Sequence, residues 1–177
     1  FLQWQKKTTS RNSKDRTQAI QFCCALSWQD EQINTILKLA DDVDAKVRSC
    51  AMTALGAVTS DSGGIGEERL VAALNDRNMR VRANAIDALL FRNVTWAQRH
   101  IEQCLQSNHN RIRANAIKAL LTWRVNSAAK AIKNMSKDIR PQHRQSAQWV
   151  IKRLMQVKTQ NAISDLVNVN QSEETYV

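Results

Sequence analysis

The sequence predicts an all-α chain, a right-handed α-solenoid of about five stacked two-helix repeats. Three observations carry this expectation. First, four segments align without gaps: DDVDAKVRSCAMTAL (41–55), NDRNMRVRANAIDAL (75–89), QSNHNRIRANAIKAL (106–120) and KDIRPQHRQSAQWVI (137–151). Each holds an Arg followed three residues later by Ala, at Arg48/Ala51, Arg82/Ala85, Arg113/Ala116 and Arg144/Ala147, and a fainter copy places Arg16 before Ala19. Second, the arginines at 16, 48, 82, 113 and 144 step by 32, 34, 31 and 31 residues. A period in the low thirties marks stacked units, none of which buries its own apolar face alone. Third, 177 residues hold only 4 Gly and 1 Pro, which argues against a turn-rich β-sandwich, a collagen or a disordered linker. The length fits one domain with a real core.

Residues 1–12 form an N-terminal segment, 13–157 the repeat solenoid and 158–177 a C-terminal cap and tail. The chain opens on Phe rather than Met, as expected of a processed chain or a piece of a longer protein. Its aromatic start followed by Lys6 and Lys7 fits the cytoplasmic flank of a membrane anchor lying outside this chain; a frayed solenoid cap fits it as well. In each unit the first helix is short and amphipathic. Its apolar residues are Ile33, Ile36, Leu37 and Leu39; then Leu70, Val71 and Leu74; then Trp96, Ile101 and Leu105; then Ala128, Ala131, Ile132 and Met135. Thr95 is positioned to cap the third of these. The second helices repeat a stripe with small Ala at its centre, as in Val81, Ala85, Ile86, Ala88 and Leu89, which lets neighbouring helices approach closely. Ser60-Asp61-Ser62-Gly63-Gly64 breaks the chain between units, and Asn93 and Asn126 lie at later joints. Cys23, Cys24, Cys50 and Cys104 read as buried free thiols. In the tail, 161–167 is expected to form a short capping helix. The final Thr175-Tyr176-Val177 fits either a disordered tail or a ligand for a carboxylate-capturing PDZ domain.

The pattern resembles the HEAT-repeat family, more closely its short bacterial type, also called phycobilisome-lyase HEAT-like. That family carries an Asp in the turn between its helices and a Val-Arg dipeptide opening the second helix. Here Asp42, Asp76 and Asp138 lie six residues before Arg48, Arg82 and Arg144, while Ser107 stands six before Arg113. A Pro three residues before the Arg is common in the family, and only Pro141 matches it. The resemblance covers roughly 13–157, with the first unit incomplete. It implies that the second helices line a concave binding face.

The arginine ladder reads first as structure: a planar guanidinium pairs bidentately with the turn Asp of its own or an adjacent unit. Asn84 and Asn115 occupy equivalent places and are expected to hydrogen-bond between repeats. The net charge of +10 is uneven, with −4 over 17–74 and +6 over each of 75–124 and 125–157. Such a basic half steers an anionic partner, or it is a solvated face that keeps the domain soluble. On the second helices Thr53, Asp87, Lys118 and Trp149 fall one per unit at the same place, with Arg80, Arg82, Asn84, Arg111, Arg113, Asn115 and Arg144 nearby. This stripe is the predicted partner-binding surface. Trp149 is either its contact anchor or a core residue of the last unit.

No catalytic residue, metal site or cofactor is expected. The histidines fall in different repeats without ligand spacing, and no phosphate-binding Gly loop or nucleophile elbow occurs. Asp41, Asp42 and Asp44 read as turn and capping acids rather than part of a calcium loop. Two enzyme groups use related solenoids. Alkylpurine DNA glycosylases pair a concave Asp with Trp residues and a basic surface; this chain has Asp87, Trp123, Trp149 and the charge, but its close repetition is unlike that diverged family. Nothing specifies the bilin site of a bilin lyase. The reading is therefore a non-catalytic protein-interaction scaffold, cytoplasmic or the cytoplasmic part of a membrane protein, with a protein partner expected to be acidic. Nucleic-acid binding by the basic half is the alternative.

Overall fold

Local chemistry sets where each second helix begins. Asp42, Asp76 and Asp138 each accept a hydrogen bond from the amide two residues on, at 2.8, 2.7 and 3.0 Å. Ser107 does the same more weakly, its Oγ accepting from His109 N at 3.2 Å. These turns hand the chain to a helix cap: the side chains of Asp44 and Asn78 accept from Lys46 N and Arg80 N at 2.7 and 2.9 Å. The last second helix starts instead on Pro141, whose missing N–H costs nothing in a first turn.

The structure is a computed structural model that describes residues 2–25, 30–58 and 64–173, with side chains for 4–25, 30–58 and 64–157. Among them are ten α-helices: α1 (Leu2–Thr8), α2 (Ser13–Ala25), α3 (Asp30–Leu39), α4 (Ala45–Ala57), α5 (Glu67–Ala73), α6 (Met79–Phe91), α7 (Gln98–Gln103), α8 (Asn110–Thr122), α9 (Asn126–Ser136) and α10 (Pro141–Glu173). Short 3-10 turns, Thr95–Ala97 and Cys104–Gln106, flank α7. The helices pair as α1/α2, α3/α4, α5/α6, α7/α8 and α9/α10, and the second helices α2, α4, α6, α8 and α10 contact one another in series. The architecture is the expected α-solenoid.

The core follows the Ala stripe. Ala51, Ala54, Ala85, Ala88, Ala116 and Ala119 are buried, together with Met52, Leu55, Ile86, Leu89, Ile117 and Leu120. The second and third units approach closely at Gly56: a Cβ there would lie 2.8 Å from Ala88 Cβ and 3.0 Å from Ala88 Cα. Positive φ angles at Asn93 and Arg124 end α6 and α8 in the left-handed region.

Several expectations are corrected. The first unit has its first helix, because α1 packs on α2 and buries Trp4 in the core. Thr95 is not a helix cap; it opens a 3-10 turn without a side-chain cap bond. Trp96 is half-exposed, its indole Nε1–H donating to Glu67 Oε2 at 2.8 Å, so an amphipathic polar tip wins over burial. In place of a separate helix over 161–167, α10 continues unbroken to Glu173, since no Pro or Gly interrupts it. The expected break over 60–63 and the terminal Thr175-Tyr176-Val177 pattern lie outside the described residues.

The cysteines are all free, but only Cys23 is buried; Cys24 is exposed and Cys50 and Cys104 are intermediate. Burial pushes the Cys23 thiol up to about 11. Thiol alkylation of the folded chain, followed by mass spectrometry, should therefore modify Cys24 first and leave Cys23 untouched until unfolding. Rapid labelling of Cys23 would contradict its placement.

Candidate interaction face

The arginine ladder is structural at three of its steps. Arg16 Nε and Nη2 donate to Asp42 at 2.6 and 2.8 Å, and Arg48 Nε and Nη2 donate to Asp76 at 2.8 and 2.9 Å. Arg113 Nη1 donates to Asp138 at 3.0 Å. Each acid belongs to the following unit, so the pairs bridge units. Arg16 and Arg48 also donate to two carbonyls of their own turns. Burial pushes the carboxyls of Asp42 and Asp76 up, but the guanidinium and amide donors outweigh it and hold both below the usual carboxylate range. Arg140, with its own amide, holds the Asp138 carboxyl far below that range.

The predicted partner-binding residues divide. Arg113 is committed to Asp138, and Arg144 donates to the carbonyls of Asp138 and Ile139, both at 2.8 Å. Arg82 lines a separate cavity beside α7. Arg80 is exposed. The rest converge on α6, α8 and α10. Asn84 Nδ2 donates to Ser49 O, Ser49 Oγ and Thr53 Oγ1 at 3.1, 3.0 and 3.1 Å, and Asn115 Nδ2 donates to Ala83 O and Asp87 Oδ2 at 3.1 and 2.8 Å. Both asparagines thus reach back one unit. Lys118 Nζ donates to Asp87 Oδ1 at 2.6 Å and sits 5.3 Å from the centroid of the Trp149 ring. Arg111 leans toward Asn84 Oδ1 at 3.4 Å.

Two adjoining hollows result. One, of about 460 Å³, is lined by Asp87, Asn110, Arg111, Asn115, Gln145 and Trp149 among others. The second, of about 320 Å³, is lined by Thr53, Gly56, Asn84, Asp87, Ala88 and Phe91 among others. Asp87 is common to both. Two aromatic rings stand open beside them, Phe91 at 78% and Trp149 at 49% exposure. Phe91 was missed by sequence reasoning because it falls outside the aligned repeats, one turn beyond Asp87 on α6. Its signal was a large apolar residue four positions after a polar stripe residue, which places both on one helical face.

A family model described as HEAT repeats matches residues 33–120. The chain belongs to the HEAT-repeat family. Solved structures similar to this HEAT-repeat chain share its fold at low identity. The complex of CpcE and CpcF of phycocyanin lyase from Nostoc sp. PCC7120 has 17% identity and a TM-score of 0.60, with 78% of this chain and 90% of that chain covered. A designed armadillo repeat protein in complex with the peptide (KR)4 has 16% identity and a TM-score of 0.52, with 85% and 81% covered. Computationally designed armadillo repeat proteins for modular peptide recognition give 16% and 0.52, with 83% and 79% covered. No curated protein sequence matches the chain.

HEAT and armadillo solenoids are commonly protein-interaction scaffolds rather than enzymes. Among the described residues of this HEAT-repeat chain, no group of three or more His, Cys, Asp or Glu could hold a metal ion. No described helix is long and apolar enough to cross a membrane.

Proposed function

We propose that the chain is a non-catalytic scaffold that holds an extended acidic segment of a partner protein across α4, α6, α8 and α10. One observation carries this: two adjoining hollows flanked by the open rings of Phe91 and Trp149, on a surface where Arg80 and Arg111 are exposed. Rigid aromatic anchors supply contact area at low entropic cost, and arginine meets carboxylates with a planar fork. The Asp87–Lys118 pair and the two asparagines act as the floor, since their hydrogen bonds are already made within the chain. The designed armadillo protein similar in fold is complexed with a basic peptide; here the sequence is basic over 75–157, which favours the opposite charge in the ligand. The working place of the domain is the cytoplasm, free or as part of a larger membrane protein.

The test is a screen of labelled acidic peptides by fluorescence anisotropy at physiological salt. Trp149→Ala should weaken a bound peptide about 5–30-fold, as loss of an aromatic anchor does, while leaving Tm nearly unchanged because the ring is half-exposed. Equal affinity of wild type and variant would remove Trp149 from the face.

A second reading rests on exposed Lys130, Lys133, Lys137, Lys152 and Arg153, basic side chains that pair with no carboxylate among the described residues. Such a surface suits nucleic-acid phosphates. Duplex and single-stranded DNA and RNA in the same assay separate the two: phosphate binding falls steeply with salt and ignores sequence, whereas an anchored peptide survives moderate salt.

A further inference from the structure

The junction between the third and fourth units lacks what the other junctions have. Arg16, Arg48 and Arg113 each hold a carboxylate of the next unit, at 2.6, 2.8 and 3.0 Å. Arg82 occupies the same step of the ladder, but Ser107 stands where its partner would be. Ser107 reproduces the turn, through its bond from His109 N, without reproducing the charge. Among the described residues the Arg82 side chain makes no hydrogen bond or ion pair, and its Nε is buried without a partner. At Arg16 and Arg48 that nitrogen donates to an Asp; Arg113, whose Nε is likewise unpartnered, reaches its Asp through Nη1 instead, and Arg82 alone of the four reaches none. A buried donor left without an acceptor is costly, so the site is primed for one.

The space is present as well. A cavity of about 180 Å³ is lined by Asn75, Arg82, His100, Gln103 and Ser107, with apolar walls from α5 and α8. No acidic side chain lines it. Asn75, Gln103 and Ser107 bring neutral donors to the guanidinium, the composition that suits a compact anion. The cavity shares no lining residue with either hollow of the interaction face.

We propose that this cavity is a carboxylate-binding site. The slot that Asp42, Asp76 and Asp138 fill at the other junctions is open here to a carboxylate from outside the chain. The ligand is a small organic acid or the acidic side chain of a docked peptide, held by Arg82 with Ser107 at its edge. Carboxylate is favoured over phosphate because Arg82 stands at the equivalent step of the ladder, and the acceptor in all three filled steps is a carboxylate.

The test uses the full chain and thermal unfolding at constant ionic strength, with sodium chloride exchanged for sodium acetate, sodium succinate or sodium phosphate. A fourth arm adds a capped peptide with a single Glu. Wild type should gain about 3–5 °C in Tm at a tenfold excess over Kd of the acid it prefers. Ser107→Asp should raise Tm without any added acid and abolish the response, because the chain then supplies its own carboxylate. Arg82→Gln should also abolish it. A response to succinate or acetate assigns a free acid, and a response confined to the peptide assigns a docked side chain. A larger response to phosphate than to any carboxylate would overturn the assignment. So would a wild type indifferent to all four arms, or an Arg82→Gln variant that responds as wild type does. Should Ser107→Asp fail to fold, ¹H–¹⁵N spectra of wild type titrated with succinate decide the matter: shifts centred on Arg82, Ser107 and His109 support the site, and their absence removes it.

Discussion

Replacing Asp76 with Ala should destabilise the chain by about 3–5 kcal/mol, the largest effect expected of any single change described here. Arg48 and Asp76 form a bidentate pair with side chains only 7% and 11% exposed. Removing the acid leaves a guanidinium desolvated and without its counter-charge, and deletes the acceptor for Asn78 N. At this chain length the loss corresponds to a fall in Tm of about 10 °C. Asp76→Asn separates the two contributions, because its side-chain oxygen can keep the turn bond while the charge is gone. The double variant Arg48→Met, Asp76→Leu should be far less damaged than Asp76→Ala, since an apolar pair leaves nothing stranded. An Asp76→Ala protein within 1 kcal/mol of wild type would show that the pair is incidental. The same pair sets a pH dependence. The folded Asp76 carboxyl lies below its unfolded value of about 3.9, so its contribution is complete above that pH and is lost as pH falls toward the folded value. Asp42 behaves alike. Urea titrations should therefore show wild type losing stability below about pH 4, and Asp76→Asn losing less over the same interval.

The second large effect is expected at Gly56. Ala in mid-helix ordinarily gains about 1 kcal/mol over Gly. Here the added methyl would stand 2.8 Å from Ala88 Cβ and 3.0 Å from Ala88 Cα, and the latter belongs to the α6 backbone and has no rotamer to change. Helices α4 and α6 must part, so Gly56→Ala should destabilise by about 2 kcal/mol despite its better propensity. Ala88→Gly in the same molecule should restore part of that loss. Chemical denaturation of the two singles and the double gives a coupling energy, and additivity within about 0.5 kcal/mol would mean that the helices are not touching there.

Both effects sit where the sequence was most and least legible. The R-x-x-A repeat and its period located α4, α6, α8 and the start of α10, because burial of one helical face against like neighbours leaves a periodic trace. The Asp six residues before Arg48, Arg82 and Arg144 was legible as a turn acid, but its partner was not: that Arg16, Arg48 and Arg113 reach forward to the next unit depends on stacking geometry, which no local spacing encodes. Residues outside the repeat were harder. Trp4 and Trp96 carry the same side chain in apolar company, yet the first is buried and the second keeps its polar tip wet against Glu67. The stripe of Asn84, Asp87, Asn115, Lys118 and Trp149 was legible as a row because equivalent positions stack. That most of it is already hydrogen-bonded within the chain was not, since it follows from which unit each side chain reaches.

The ladder also bears on how the molecule bends. Its pairs join residues 26, 28 and 25 positions apart, each crossing from one unit to the next like a strut across a joint. Units in such a stack touch only their neighbours, so stiffness is set joint by joint rather than shared. Between α5/α6 and α7/α8 the ladder strut at Arg82 and Ser107 is missing, and the joint is tied instead by Asn115 and Lys118 of α8 reaching Ala83 and Asp87 of α6. The interaction face crosses it, from Asn84 and Asp87 on α6 to Asn115 and Lys118 on α8. A partner lying on this surface would therefore touch the very bonds that hold this joint, whereas at the neighbouring joints the ladder holds the units from outside the face.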